Sequence, residues 1–185
     1  MSKRYIYAGI DPSLTSTGIV AIKAGGDTVF SHDIKTAPKT APLQRLFDIR
    51  HRVLTLLDGL RLSDYRVLVG IEGYAYGRVN QAHALGELGG VLRVALFEAG
   101  YDMVDVAPTA VKKFATGKGN AKKDQILLAV YKKWGAEFQS NDVADAYVIA
   151  QIVKHLHDPN LRLMKHEAEV IKTLRQGLEE DWGGA

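Results

Sequence analysis

Short apolar runs of strand length recur through the chain from its N-terminus to about residue 107. Residues 5–10 and 67–71 are almost continuously apolar, which is typical of strands buried on both faces of a sheet. Two further runs, residues 18–23 and 28–34, are separated by Gly25-Gly26-Asp27, which indicates a hairpin turn. A fifth run covers residues 103–107. The pattern therefore predicts five strands.

Apolar positions at helical spacing fill the segments between and after these strands. Gly100 is a natural end for the second helix, whose interior holds Gly86, Gly89 and Gly90. Each interior glycine costs about 1 kcal/mol, so close packing or the approach of another backbone is expected there. The predicted helices cover residues 43–57, 80–99, a short segment from Pro108, 121–134 and 142–155. This order favours an α/β domain with a mixed sheet flanked by helices.

The helical pattern is interrupted at Asp158-Pro159-Asn160. A chain of 185 residues with 46% hydrophobic residues suits one compact domain with a substantial core. We therefore predict a domain over residues 1–158 and a C-terminal helical extension over residues 159–185.

The composition also bears on where the protein acts. The chain has no cysteine, which excludes a disulfide framework and a thiolate metal site. No signal-peptide pattern follows Met1, and no apolar run reaches the roughly 20 residues needed to span a bilayer. These features favour a cytoplasmic protein that has no membrane partner.

Positive charge is concentrated in one short part of the sequence. The formal net charge is +3, which permits nucleic-acid binding without establishing it. Charge alone is equally compatible with a solvated helix face. The lysines concerned are Lys112, Lys113, Lys118, Lys122, Lys123, Lys132 and Lys133.

Four carboxylates stand at the ends of predicted elements. Asp11 follows the first strand, and Glu72 follows the central strand, where it would be partly desolvated unless a cation pairs with it. Asp142 and Asp145 lie three residues apart at the start of an apolar helix, so they share one helix face. Each alone has an ordinary interpretation, as a turn residue or as an acid favoured by the helix dipole. Together, with no partner Arg obvious in the sequence, they indicate a shared site.

The mutual repulsion of converging carboxylates must be offset, and divalent cations with oxygen ligands can do this. Because His and Cys are missing from these motifs, Mg²⁺ or Mn²⁺ is favoured over Zn²⁺. Such a cluster suits two-metal phosphoryl transfer, with two ions per active site.

The ordered set of these motifs resembles that of the RuvC family of Holliday-junction resolvases. Gly9-Ile10-Asp11-Pro12 with Thr17-Gly18 is similar to the family's opening, and Ile71-Glu72 to its second acidic strand. Asp142 with Ala144-Asp145-Ala146 is similar to its acidic C-terminal helix. The stretch before that helix matches in spacing at Val111, Lys112, Gly117, Gly119, Ala121, Lys123 and Ile126, so that the resemblance spans residues 5–155.

The resemblance implies an RNase H-like fold with a mixed five-stranded sheet, and a homodimer. It also implies divalent-metal incision of four-way junctions and other branched DNA, leaving 5′-phosphate and 3′-hydroxyl ends. For this chain the resemblance implies that Lys123 assists the reaction near the scissile phosphate and that Lys112 lies along the DNA path. We also expect Lys118, Lys122 and Arg78 to bind DNA. The implied metal ligands are Asp11, Glu72, Asp142 and Asp145.

The chain departs from the family pattern near two of these motifs. Ser13 stands where the family usually has Gly, and Ala75 stands where the family often has an aromatic wedge. Tyr74 and Tyr76 flank Ala75 and are expected either to stack on bases at the crossover or to be ordinary loop tyrosines.

Other functions remain open from the sequence alone. The loop from Asp11 to Gly18 also resembles the phosphate loop of actin-like sugar kinases, which need two such domains where this chain has room for one. Among nucleases, a flap or ribosomal-RNA-processing enzyme of the same fold is an alternative. A DNA-binding module without catalysis is disfavoured because all four carboxylates are present.

Overall fold

The computed structural model describes residues 4–61, 65–73 and 79–182, with the side chains of residues 79–85 and 179–182 excepted. Tyr74, Tyr76 and Arg78 therefore lie outside the described residues. The strands are β1 (Arg4–Asp11), β2 (Ser16–Lys23), β3 (Thr28–Lys35), β4 (Tyr65–Glu72) and β5 (Asp102–Val106). The helices are α1 (Pro42–Arg61), α2 (Val79–Glu98), α3 (Pro108–Thr116), α4 (Lys123–Trp134), α5 (Asn141–His157) and α6 (Lys165–Trp182).

The five strands form one mixed sheet in the order β3-β2-β1-β4-β5. β1, β2 and β3 pair antiparallel, whereas β4 pairs parallel to both β1 and β5. The predicted α/β fold with a mixed five-stranded sheet flanked by helices is therefore confirmed. The carboxyl ends of β1, β4 and β5 meet at one edge of the sheet because these three strands run in the same direction.

Both faces of the sheet are covered, which explains why its central strands are apolar without alternation. Ile6, Ala8 and Ile10 of β1 pack with α1 and α2, while Tyr7 packs on the opposite face with α5. α3 and α4 pack beside α5 on that second face.

Helix α5 lies directly on the sheet because glycines provide the space. A Cβ atom at Gly9 would lie 2.0 Å from the carbonyl oxygen of Ala146, and one at Gly18 would lie 2.1 Å from that of Asp142. A Cβ atom at Gly70 would meet the side chain of Ile149 at 2.5 Å. Only residues without a side chain on β1, β2 and β4 allow this close packing.

The helix predicted from residue 121 begins two residues later than expected. Lys122 has an extended backbone, with φ −79° and ψ 160°, and precedes the first helical residue. Its amide donates to Oε1 of Gln125 at 2.9 Å, which satisfies a donor that the first turn of the helix leaves without a partner.

Helix α6 is packed against the rest of the domain. Val170 and Ile171 are buried in the same core as α5. Glu169 pairs with Lys113 of α3 at 2.8 Å, and the buried Glu167 pairs with Lys133 of α4. Two of the clustered lysines therefore hold α6 in place.

The glycines of α2 do not all serve packing inside the domain. A Cβ atom at Gly90 would meet nothing within 4 Å in the described structure, so the close packing expected there is not found within the chain. Leu88, Leu92 and Leu96 are buried against the sheet, whereas Val94 and Phe97 are exposed. Among the described side chains of α2, the large exposed apolar residues are therefore Val94 and Phe97 rather than Leu88, Leu92 and Leu96. No helix in the described ranges is long and apolar enough to cross a membrane.

Candidate active site

Two carboxylates end neighbouring parallel strands. Asp11 is the last residue of β1, and Glu72 is the last residue of β4. Each carboxyl group alters the pKa of the other, which indicates that the two groups lie close together. The first two predicted metal ligands thus lie together at the carboxyl edge of the sheet.

The other two carboxylates come from the first turns of α5. Gly18 lets the backbone at Asp142 sit against β2, and Gly9 does the same for Ala146 against β1. Asp145 follows Asp142 by one turn on the same helix face. The charges of Asp142 and Asp145 both raise the pKa of Asp11, so all four carboxylates converge.

Burial and repulsion between neighbouring acids raise the pKa of Asp11, Glu72 and Asp145. Desolvation, then the charges of Glu72 and Asp145, raise the pKa of Asp11 well above its usual value. Desolvation also raises the pKa of Glu72, partly offset by the hydrogen bond from Asp11. A bound proton or a bound cation would each offset this repulsion.

Asp145 has both a raised pKa and an unsatisfied oxygen. Its side chain is only 8% exposed, and desolvation followed by the charge of Glu72 raises its pKa to about 7. Its Oδ1 atom is buried without a hydrogen-bond partner among the described residues. A buried carboxylate oxygen in this condition is costly unless a cation or a proton satisfies it.

Two of the predicted lysines reach the cluster. Nζ of Lys123 lies 3.4 Å from Oδ1 of Asp142. Burial is the largest single influence and opposes the charged form of Lys123, but the combined attraction of Asp142, Asp11 and Asp145 outweighs it and raises the lysine pKa. Lys112 lies close enough to lower the pKa of both Glu72 and Asp145.

The other two predicted DNA-binding lysines are exposed to solvent. Lys118 is exposed in the loop between α3 and α4, and Lys122 is exposed just before α4. The structure thus joins Lys112 and Lys123 to the acidic cluster and leaves Lys118 and Lys122 as exposed lysines between α3 and α4.

The oxygen donors suit a divalent metal ion, although the carboxylates alone do not form a complete coordination shell. Within the described ranges, no group of three His, Asp or Glu side chains is arranged to hold an ion directly. Oxygen donors and the buried, unsatisfied Oδ1 of Asp145 nevertheless suit Mg²⁺ or Mn²⁺. Such ions usually keep waters and substrate oxygens as part of their coordination, so a complete protein cage is not required.

Sequence reasoning did not identify the interactions that order the loop after Asp11. Nη2 of Arg45 in α1 donates to the carbonyl oxygen of Leu14 at 2.8 Å, and Nε donates to Oγ1 of Thr36 at the same distance. Oγ1 of Thr36 donates to the Leu14 carbonyl as well. The contacts join positions up to 31 residues apart, so no local pattern reveals them.

Comparison with known proteins agrees with this geometry. The family model described as "Crossover junction endodeoxyribonuclease RuvC" matches residues 7–155. The chain belongs to the RuvC family. The matched range includes the four carboxylates, Lys112 and Lys123, and it ends before α6.

Individual RuvC proteins are similar over most of their length. The crossover junction endodeoxyribonuclease RuvC of Thermus thermophilus is 31% identical over 154 residues, which are 78% of this chain and 90% of that protein. The RuvC of Rhodopirellula baltica is 33% identical over 147 residues, covering 77% of this chain and 82% of that protein.

Solved RuvC structures share the fold. A structure of T. thermophilus RuvC in complex with Holliday junction substrate superposes with a TM-score of 0.68 at 28% identity, covering 82% of this chain and 92% of that one. A second T. thermophilus RuvC structure gives a TM-score of 0.68 at 26% identity and covers 86% and 99%. The resemblance to RuvC found in the sequence, and the RNase H-like fold that it implies, are therefore confirmed.

Proposed function

We propose that this RuvC family member is a structure-selective endonuclease that cleaves Holliday junctions or other branched DNA in the cytoplasm. The observation that supports it best is the convergence of four carboxylates around a buried oxygen of Asp145 that has no partner in the described structure. Support also comes from relatives named crossover junction endodeoxyribonucleases, one of which was solved with a Holliday junction.

Asp11, Glu72, Asp142 and Asp145 would hold two Mg²⁺ or Mn²⁺ ions in the proposed site. When bound, these ions supply an activated water and stabilise charge on the leaving oxygen. The carboxyl groups must be ionised for the ions to enter, because metal ligands bind in the ionised form. The raised pKa of Asp145, about 7, makes metal binding depend on pH near neutrality.

The reaction proposed for the site is hydrolysis of one phosphodiester bond. The water oxygen forms a bond to phosphorus, the bond between phosphorus and the 3′ oxygen breaks, and the 3′ oxygen takes up a proton. The products carry 5′-phosphate and 3′-hydroxyl ends. Lys123, held beside Asp142 by their ion pair, would contact the scissile phosphate.

The DNA path proposed for the protein runs from the acidic cluster over α3 and the start of α4. Lys112 stands next to the carboxylates, and Lys118 and Lys122 extend the positive surface beyond them. Lysines of this kind bind phosphates without reading sequence. Tyr74, Tyr76 and Arg78, which follow Glu72 in the sequence, remain predicted DNA contacts.

Paired cuts in a junction with two-fold symmetry call for two active sites, which a homodimer supplies. The outer surface of α2 is the candidate interface. It exposes Val94 and Phe97, with Phe97 76% exposed, and it has open space at Gly90. Large exposed apolar side chains near a helix position without a side chain favour the close approach of a partner helix.

The division at residue 158 also remains a proposal. The family match ends at residue 155, and α6 begins at Lys165, so the C-terminal helical extension lies beyond the matched residues. Its ion pairs to α3 and α4 indicate that it supports the two helices that carry Lys112 and Lys123.

The test compares cleavage of a four-way junction, a flap and a linear duplex, each with Mg²⁺ and with Mn²⁺. Paired cuts in the junction at far higher rates than in the other substrates support the proposal. Preference for the flap would favour the alternative of a flap nuclease. Binding without cleavage of any substrate would favour a DNA-binding module instead.

A further inference from the structure

Glu72 is the last residue of β4, where the strand is paired with β5 but extends one residue beyond its pairing with β1. The parallel pairing of β1 with β4 ends at Ile10 and Ile71, one residue before Glu72. On the other side, Glu72 is paired with Val106 of β5, and the amide of Gly73 donates to the Val106 carbonyl at 2.8 Å.

Arg93 of α2 contacts this strand end. Its Nη2 donates to the main-chain oxygen of Glu72 at 3.2 Å and to Oδ1 of Asp105 at 2.6 Å. Its Nε donates to the same Asp105 oxygen at 2.9 Å. Leu92 and Leu96, buried on either side of Arg93 in the sequence, fix its helix against the sheet. The guanidinium group therefore links α2, β4 and β5.

We propose that Arg93, oriented by Asp105, is a positioning residue that holds Glu72 for metal binding; this rests on the function proposed above. The guanidinium bonds the Glu72 carbonyl rather than its carboxylate, which leaves the carboxylate oxygens available as ligands. A planar group with several fixed donors can bond the carbonyl and Asp105 together, whereas an ammonium cannot reproduce that geometry.

The chain contains a matched pair that serves as a control. Arg66 of β4 donates to Oδ2 of Asp102 on β5, with Nη2 at 2.7 Å and Nε at 3.2 Å. This pair also joins β4 to β5, but it lies at the opposite ends of these strands from Glu72. It therefore reports the effect of losing an Arg–Asp pair on sheet stability alone.

The experiment measures Mn²⁺ affinity of the DNA-free protein by calorimetry for Arg93→Met, Arg93→Lys, Asp105→Asn and Arg66→Met. Misplacing one ligand typically costs a metal site about 10-fold to 100-fold in affinity. We expect Arg93→Met to weaken Mn²⁺ binding about 10-fold, Arg93→Lys to restore it only in part, and Arg66→Met to leave it unchanged. Junction binding in Ca²⁺ and the oligomeric state should remain as in the wild type. The Mg²⁺ concentration that gives half-maximal single-turnover cleavage should rise in parallel.

Unchanged Mn²⁺ affinity in Arg93→Met, or an equal loss in Arg66→Met, would overturn the inference. Asp105→Asn keeps the shape of the side chain and carries the test if Arg93→Met fails to fold. Glu72→Gln distinguishes failure of the proposed metal site from failure of the role proposed for Arg93. If it leaves Mn²⁺ binding intact, the proposed metal site itself fails; if it weakens binding while the Arg93 variants do not, only the role of Arg93 fails.

Discussion

Asp11 and Glu72 end two adjacent parallel strands, and each carboxyl group alters the pKa of the other. Two neighbouring buried acids favour a proton or a cation at their site, because either one offsets their repulsion. Asp145 and Asp142 add further negative charge from the start of α5. A metal ion that binds here must therefore displace any proton that these acids hold.

A first prediction concerns stability of the metal-free protein as pH changes. The pKa of Asp145 is raised from 3.8 to about 7. Because the folded state binds this proton more tightly, the stabilisation is fully present below a pH of about 4 and is lost as pH rises through about 7. Asp145→Asn removes the charge, so it should raise the free energy of unfolding at pH 8 by on the order of 2 kcal/mol relative to the wild type.

Urea unfolding in EDTA at pH 5 and pH 8 measures this difference. The gain should shrink at the lower pH. Asp27→Asn, which changes the same charge in an exposed turn, should show no such pH dependence. An equal effect of Asp145→Asn at both pH values would contradict the prediction.

A second prediction separates the lysines by role. Lys123 pairs with Asp142 at the cluster, so Lys123→Ala should lower the single-turnover cleavage rate at least about 10-fold with little change in junction affinity. Lys118→Ala or Lys112→Ala should weaken binding to all DNA and reduce the salt dependence by about one phosphate contact. Exposed Lys172 of α6 provides the control, since Lys172→Ala should change neither quantity. If all three test variants keep the wild-type cleavage rate and DNA affinity, these lysines are solvated surface residues with no role in DNA binding or cleavage.

A third prediction tests the contact between α5 and the sheet. A Cβ atom at Gly18 would overlap the backbone of Asp142 and Val143, so Gly18→Ala should destabilise the protein by about 1–3 kcal/mol and reduce cleavage by moving Asp142. Gly59→Ala in α1 meets no atom within 4 Å and should stabilise the helix by about 0.5–1 kcal/mol. Thermal unfolding and junction cleavage of both variants measure the contrast. Full activity and stability in Gly18→Ala would show that α5 can shift without cost.

A fourth prediction concerns assembly. Phe97 is exposed on α2 near the open position at Gly90, so Phe97→Glu should convert a dimer into a monomer. Leu128→Glu on α4, which is also exposed, should leave the dimer intact. Light scattering at the concentrations used for cleavage gives the mass of each. A wild-type monomer that resolves junctions would contradict the dimer.

The sequence located the four carboxylates at the ends of regular elements, and the structure has them there. Asp11 and Glu72 follow apolar strands, and the three-residue spacing of Asp142 and Asp145 places them on one helix face. The close contact made possible by Gly9, Gly18 and Gly70 was not predicted, because a glycine in a strand does not reveal which helix will cover it.

Other features depend on contacts distant in the sequence. The lysine cluster was compatible with DNA binding or with a solvated helix face. Two of its members do neither, because Lys113 and Lys133 pair with Glu169 and Glu167 of α6. Periodicity located the leucine face of α2, yet only the packed structure shows that Phe97 remains exposed.

The central claim is tested most directly by single-turnover cleavage of a synthetic four-way junction by Asp145→Asn, beside the wild type, in Mg²⁺. Asn keeps the size of the side chain but removes the charge that would bind the metal. The account predicts that cleavage falls below detection while junction binding, measured in Ca²⁺, equals or exceeds that of the wild type. Cleavage by Asp145→Asn at a rate close to that of the wild type would contradict it.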